Sequence, residues 1–495
     1  MSTSLNPVRF GIIGYGNMGS SHARFFAQNK VPGGQLAAVA DVDPARLAAL
    51  KADHPHIAAF GTHHEMLKSG LIDAVIIAVP HYDHPSIAID SFAAGMHVMC
   101  EKPLCVSVKA GRALIAEYEA KYTHLKFGIM FNQRSNTVFR KLRELIAAGE
   151  MGRILRVTWL ITDWFRSDAY YASGGWRATW AGEGGGVLIN QCPHNLDLIQ
   201  WITGMMPKRV IAHASVGKYH PIEVEDDVHA TLLYEDGAVG HFITTTGECP
   251  GSNRLEISGD RGRIVVDNGV MTWNRTRVPV LDYNKTTSQH FMGPERWDVQ
   301  VPVGAQPQEQ HPEVLKAFVK CLQTGSPMMA EGVEGIRGLE LGNAIMMAGL
   351  TGKPVRLEDA LGDWRAEVIS RLGQAGIEAV WNMPTDELEQ TLPARAFVQT
   401  TRIIREAVNN IIKHSGASQC AVRSQVADGD FQLVIQDNGK GISVEVDGRL
   451  DRGHGLSTMK GRAKQLHGQC LVESGPGYGT VIRLTIPLEP AGLAA

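Results

Sequence analysis

Apolar residues come in short solid runs near the start of the chain and in alternating runs further on. In the first stretch Phe10, Ile12 and Ile13 form a run that suits a strand buried on both faces. Gln35–Asp41 (QLAAVAD), Ala74–Val79 (AVIIAV) and His97–Cys100 repeat that pattern, with helix-forming stretches between them, the first over Ser21–Gln28. Strands alternating with helices predict right-handed βαβ units and an α/β, doubly wound parallel sheet. From residue 154 the runs alternate or are β-branched: Ile154–Thr162, Val210–Val216, Val228–Tyr234, Val239–Thr246, Arg254–Ser258 and Arg263–Val266. Turn signals at Glu235-Asp236-Gly237, Gly259-Asp260 and Asp267-Asn268-Gly269 separate several of them. This rhythm predicts a large, mostly antiparallel sheet with one face on helices.

Composition narrows the class. A chain of 495 residues is too long for one core and implies about two to four domains. The net charge of −3 gives no basic surface for nucleic acid or membrane. The seven cysteines are odd in number and form no CxxC pair, which points to reduced thiols rather than a disulfide or zinc framework. No stretch approaches the roughly 18 apolar residues of a membrane span, so a soluble, cytoplasmic protein is expected.

The first strand runs straight into Gly14-x-Gly16-x-x-Gly19 and then a helix. That order suits a pyrophosphate. Gly14 permits a tight turn, Gly16 admits close backbone approach, Gly19 lets helix pack on strand, and Asn17 and Met18 lie at the helix N-terminus with its free N–H groups. Asp41, 22 positions beyond Gly19 at the end of the second strand, is placed to accept hydrogen bonds from the ribose hydroxyls. Its charge would repel a 2′-phosphate, so NAD is expected over NADP. Two further segments end on the carboxyl side of the sheet, where ligands of such folds bind: Pro80-His81-Tyr82-Asp83-His84 and Glu101-Lys102-Pro103. Lys102 is either a proton-transfer group with a lowered pKa or a solvated loop lysine. His81 and His84 either meet ligand or cap the next helix.

The blocks GIIGYGNMGSSHARFF, AVADVDPARLAAL and AVPHYDHPSIAIDSFAAGMHVMCEKPL closely resemble the Gfo/Idh/MocA oxidoreductases. The resemblance implies a Rossmann domain over 1–128 and a substrate and oligomerisation domain over 129–357. It places Lys102 beside the nicotinamide and the substrate hydroxyl, with Pro80, His81 and Glu101 as further cofactor contacts, and its broad sheet implies a homo-oligomer. Gly184-Gly185-Gly186 through Asn190, His194 and Asp197 resembles the family's GG-x-L-x-D-x-G-x-H-x-x-D helix, in which His194 matches the catalytic histidine. The i, i+4 spacing would put positions 190 and 194 on one helical face, although Pro193 marks a helix start or an irregularity. Asn190 stands where the family has Asp. An amide cannot accept a proton as a carboxylate does, so Lys102 and His194 are the acid/base candidates and Asn190 a binding residue. Trp176 and Arg177, in an aromatic-rich stretch, suit a polyol or a crowded core, with His84 a further substrate candidate.

Beyond Lys353-Pro354-Val355 the pattern changes. Glu406 and Asn410 in REAVNNIIKH, Asp437, Gly439 and Gly441 in DNGKG, Gly453 and Gly455 in GHGL, and Thr480 in GYGT resemble the N, G1 and G2 boxes of GHKL ATP-binding domains of NarX/DegS-like sensor kinases. The resemblance implies a two-layer α/β sandwich over 358–495. In it Asn410 ligates ATP-bound Mg²⁺ and Asp437 holds the adenine amino group. A phosphoacceptor hairpin needs roughly 50 residues at helical rise, and only a few lie between Val355 and Trp364. The expected function is an NAD-dependent dehydrogenase of a sugar or cyclitol with an appended ATP-binding module. The alternative is a regulatory fusion that binds both nucleotides without turnover, or a kinase module acting in trans on a response-regulator-type partner.

Overall fold

The computed structural model describes residues 6–357, 364–383, 392, 394–441, 454–475 and 477–488. The chain forms two compact units, Met1–Gly362 and Asp363–Ala495.

The first unit holds two sheets. One contains β1 (Val8–Ile13), β2 (Gly34–Ala40), β3 (Ala58–Phe60), β4 (Ala74–Ile77), β5 (His97–Cys100) and β6 (Phe127–Ile129), all parallel, in the order β3-β2-β1-β4-β5-β6. The order reverses between β1 and β4, which opens a crevice at their carboxyl ends. The solid apolar runs fill both faces: Phe10, Ile12 and Ile76 are fully buried. Part of this core comes from far along the chain, since Val314, Leu315, Phe318 and Val319 of the helix Gln310–Thr324 pack on it. The first helix spans Asn17–Ala27 with Gly16 as its N-cap, so it starts inside the glycine motif, earlier than Ser21.

The second sheet has nine strands: β7 (Ile154–Ile161), β8 (Arg209–Val216), β9 (Glu225–Leu233), β10 (Val239–Thr245), β11 (Asn253–Gly259), β12 (Gly262–Asp267), β13 (Val270–Thr276), β14 (Arg296–Gln300) and β15 (Val355–Arg356). Their order is β14-β13-β12-β11-β7-β10-β9-β8-β15. Every pairing is antiparallel except β7 with β10. The exception follows from connectivity, because β7 is inserted between the consecutive strands β10 and β11 and can oppose only one of them. Asn268 and Gly269 both have positive φ, 46° and 81°, which suits a two-residue hairpin turn between β12 and β13. Along β7, Val157, Trp159 and Ile161 are buried while their neighbours are partly exposed, so the sheet is one-sided as expected. Close packing joins the helices Pro193–Thr203 and Gly335–Thr351, where a Cβ on Gly338 would stand 3.2 Å from the Asp197 nitrogen.

The second unit is a five-stranded sheet of β16 (Glu378–Asn382), β17 (Gln419–Ala427), β18 (Asp430–Asp437), β19 (Gln469–Gly475) and β20 (Gly479–Pro487), ordered β16-β17-β18-β20-β19. Phe431, Leu433 and Ile435 alternate with more exposed residues, giving one buried face. The helices Trp364–Gln374, Ala394–Asn410 and His454–Gln465 complete an α/β unit. Among the described residues no helix is long and apolar enough to cross a membrane, and all seven cysteines are free thiols.

Candidate functional sites

The glycine motif has the shape a pyrophosphate needs. Gly14 has φ +91°, and a Cβ there would meet the Ala78 carbonyl oxygen at 2.5 Å. On Gly19 a Cβ would stand 1.9 Å from the Gly14 carbonyl oxygen, so neither position admits a side chain. Around Gly16 the nearest atom is Arg46 Nη1 at 3.8 Å, which leaves its side open for a ligand. Buried Asp41 accepts from the Tyr15 N–H at 2.6 Å and the Asp43 N–H at 2.8 Å, and Arg46 Nη1 lies 3.3 Å from the same carboxylate. The acidic residue is thereby fixed against the glycine loop. These residues fit a dinucleotide.

At the carboxyl end of β5, Glu101 hydrogen-bonds His22 of the first helix at 2.7 Å. Burial acts to raise the Glu101 carboxyl, but His22, His311 and Lys102 outweigh it and hold it down at about 2. Glu101 is thus an anion tying helix to strand, beside Lys102 at the carboxyl end of β5. Lys102 Nζ donates to the Asn190 carbonyl oxygen at 2.8 Å. Burial lowers the Lys102 pKa, and the anions Glu101 and Glu183 act against that.

His194 is buried, and its Nδ1 has no hydrogen-bond partner among the described residues. Burial and the nearby Lys102 charge push its pKa well below the ordinary histidine value, so the ring is neutral. The expectation that Asn190 and His194 share a helical face is not met. The helix begins at Pro193, whose missing N–H costs nothing at that first position, and Asn190 lies in the preceding turn. That turn is closed by the Asn190 N–H on the Gly186 carbonyl at 3.0 Å.

The aromatic stretch converges on the Tyr170 hydroxyl. It accepts from Arg177 Nη1 at 2.9 Å, Asn190 Nδ2 at 3.2 Å and Gln191 Nε2 at 3.4 Å. The Arg177 guanidinium lies 4.8 Å from the Tyr170 ring centre and 4.7 Å from that of Trp176. His81 joins this group through Trp176, with ring centres 5.8 Å apart, and through the Glu183 carbonyl at 3.2 Å. His84 does not join it. Both of its nitrogens face backbone carbonyls, Pro103 at 2.8 Å and Val79 at 3.0 Å, and the ring is fully buried, so it braces the loops rather than meeting substrate. Cys192 packs on Thr244 with its thiol pushed by burial up to about 12, which excludes it as a nucleophile at neutral pH.

Sequence reasoning missed Glu183. It sits in a glycine-rich turn, where a carboxylate reads as solvated, yet it is only 2% exposed.

In the second unit, buried Asp437 ends β18. Its Oδ1 accepts from the Gly439 N–H at 2.8 Å, while Oδ2 is buried without a partner among the described residues. An orphaned carboxylate oxygen at a strand end fits an adenine amino donor. Gly439 and Gly441 allow close approach: a Cβ there would meet the Ser415 carbonyl oxygen at 2.4 Å and the Gly475 carbonyl oxygen at 2.2 Å. Glu406 and Asn410 lie in the last turns of the helix Ala394–Asn410, Thr480 Oγ1 bonds Ser474 at 3.0 Å, and Gly455 is in the first turn of His454–Gln465. Gly453 lies outside the described residues.

Residues 8–128 match the model of an oxidoreductase family with an NAD-binding Rossmann fold, and 139–265 that of the GFO/IDH/MocA C-terminal domain. Residues 398–490 match the histidine kinase-, DNA gyrase B- and HSP90-like ATPase model. Over 363 residues the chain is 27% identical to myo-inositol 2-dehydrogenase of Thermotoga maritima, covering 72% of this chain and all of that one. A solved structure of the WlbA dehydrogenase from Bordetella pertussis, in complex with NADH and UDP-GlcNAcA, superposes with a TM-score of 0.60 at 25% identity, covering 71% of this chain and 99% of that one. Aldose-aldose oxidoreductase from Caulobacter crescentus shares the fold, with a TM-score of 0.58 at 22% identity over 71% of this chain and all of that one.

Proposed function

The chain belongs to the Gfo/Idh/MocA oxidoreductase family and carries a GHKL-type ATPase domain, and on that premise we propose an NAD-dependent dehydrogenase of a sugar or cyclitol hydroxyl with an appended ATP-binding module. The observation that carries the reading is the Lys102 amine. It is held at the carboxyl edge of the first sheet by the Asn190 carbonyl, next to neutral His194, and the Asn190 side chain in turn bonds the Tyr170 hydroxyl on which Arg177 converges. Bound nicotinamide supplies a hydride acceptor at C4. Lys102 in its neutral form takes the hydroxyl proton as the carbinol becomes a carbonyl, and His194 accepts or donates a hydrogen bond at the same oxygen. Arg177 and Asn190 bind neighbouring hydroxyls, and the aromatic rings cover the C–H face.

Absorbance at 340 nm, followed on mixing NAD with a panel of inositols and sugars, tests the reading. Growth with at least one polyol is expected; a flat trace across the panel with NAD bound favours the regulatory alternative. Two observations speak for that alternative: the amide at position 190, and the absence of room in residues 357–363 for a phosphoacceptor hairpin. A module acting in trans on a response-regulator-type partner would label that partner rather than this chain when given labelled ATP.

Two expectations follow for nucleotide choice. Asp41→Asn keeps the Tyr15 hydrogen bond but removes the charge facing a 2′-phosphate. It should raise the NADP/NAD ratio of kcat/KM at least about tenfold, since a like-charge contact near a protein surface exceeds about 1.4 kcal/mol. An unchanged ratio would mean that Asp41 does not read the ribose. Asp437→Asn should weaken ATP binding, measured by calorimetry, by roughly 10–100-fold while NADH affinity stays the same. Equal ATP affinity in both proteins would remove Asp437 from the adenine site.

A further inference from the structure

Glu183 is a buried carboxylate held by neutral donors. Its Oε2 accepts the Ala178 N–H at 2.7 Å and its Oε1 the Asn190 side-chain amide. The other end of the same residue, the Asn190 carbonyl, carries the Lys102 ammonium at 2.8 Å. One asparagine therefore separates an acid from an amine in the site. A carboxylate kept this dry without a hydrogen-bonded cation costs folding free energy, and its retention there points to a use for the charge.

We propose that Glu183 is the carboxylate counterpart of Lys102: it positions Asn190, and its negative charge sets how readily the Lys102 ammonium releases its proton. The inference deepens the dehydrogenase reading and rests on it. Glu183 is a positioning residue, acting on substrate only through Asn190 and Lys102. It supplies from another place in the turn the anion that an amide at position 190 cannot provide.

The neighbourhood allows the sign to be worked out. The titratable and charged groups around Lys102 include Glu101, Glu183, Cys192, Arg166, His81, His194 and His311, of which the thiol and the His81 and His194 rings are neutral at pH 7. Around Glu183 stand Arg177, Lys102, Tyr171 and Glu225. Burial raises the Glu183 carboxyl to about 7, against the Ala178 N–H, Arg177, Asn190 and Lys102, which pull it down. Above that pH it is an anion and favours the ammonium form of Lys102. Without its charge, Lys102 must lose its proton at lower pH.

The test reads Lys102 directly, without turnover. Competitive acetylation of the full chain with acetic anhydride, followed by mass spectrometry of the Lys102 peptide from pH 6 to 11, reports the fraction of neutral amine. In the wild-type protein the curve should carry an inflection near pH 7 from Glu183 below the main lysine step. In Glu183→Gln that inflection should vanish and the lysine midpoint should fall by about one pH unit, the effect of losing one nearby opposite charge. Glu183→Asp, which keeps the charge, should leave the midpoint close to wild type. The rising limb of kcat/KM against pH should move with the labelling midpoint in Glu183→Gln, and kcat should drop about tenfold, because an amide cannot accept both N–H groups. A wild-type curve with no inflection, or a midpoint the same in Glu183→Gln, overturns the inference. If labelling shifts as stated but no polyol reduces NAD, the coupling stands and the dehydrogenase reading falls.

Discussion

Replacing Lys102 by alanine is expected to lower kcat for polyol oxidation by about 10³-fold, the central value for losing a positioned proton acceptor. NADH affinity, followed by fluorescence quenching, should stay within about threefold, because the glycine loop and Asp41 make the dinucleotide site without the amine. Two effects could oppose this outcome. Water could enter the space left by the side chain and serve as base, or His194 could take the proton, since burial keeps its ring neutral. Either would leave residual activity, but without a lysine nothing is tethered to the Asn190 carbonyl at 2.8 Å, and proton transfer loses its fixed geometry. A kcat within tenfold of wild type would exclude Lys102 as the principal base.

The second large effect concerns stability. Arg134 and Asp197 are 2% and 0% exposed and meet as a bidentate pair, Nε–Oδ2 at 2.8 Å and Nη2–Oδ1 at 2.7 Å. Glu334 takes the remaining guanidinium edge at 2.6 Å, and the Phe131 and Trp201 rings lie over the cation. Asp197→Ala leaves the arginine half-paired in a dry site and should cost about 3–5 kcal/mol. Urea denaturation followed by circular dichroism, resolved into a transition for each unit, measures it in the first. The double variant Arg134→Met/Asp197→Leu should recover most of the loss, because two apolar side chains need no charge compensation and Glu334, a third exposed, can turn to water. A single-variant cost below about 1 kcal/mol would show that water reaches the pair. Asp197 is on the helix that carries His194, so the same substitution should disorder the histidine before the unit melts.

Much of this was legible in the chain because the signals are local. Gly14 and Gly19 are glycines for contacts within a few residues of themselves or across one strand, and a run such as Ile76-Ile77 declares a strand buried on both faces. The parallel pairing of β7 with β10 was not legible, since it depends on which strand is inserted between two others. Nor was β14, whose exposed residues carry no apolar rhythm. Within the site, Lys102 and His194 came from the resemblance of their segments to the family's motifs, whereas the helix start at Pro193 moved Asn190 into a turn. Arg134, in a short polar stretch, and Glu183, among glycines, carry no local signal of burial; it comes from elements far away in sequence. His84 failed for the opposite reason, being well placed in the motif but spent on two backbone carbonyls.

The lysine tether has an evolutionary side. A carbonyl oxygen belongs to the main chain, so no codon change at position 190 can delete the acceptor that holds Lys102. Drift at that position is therefore free to exchange carboxylate for amide without unmooring the amine, provided a charge arises nearby. A search that scores the signature by its side chains alone does not see this tether.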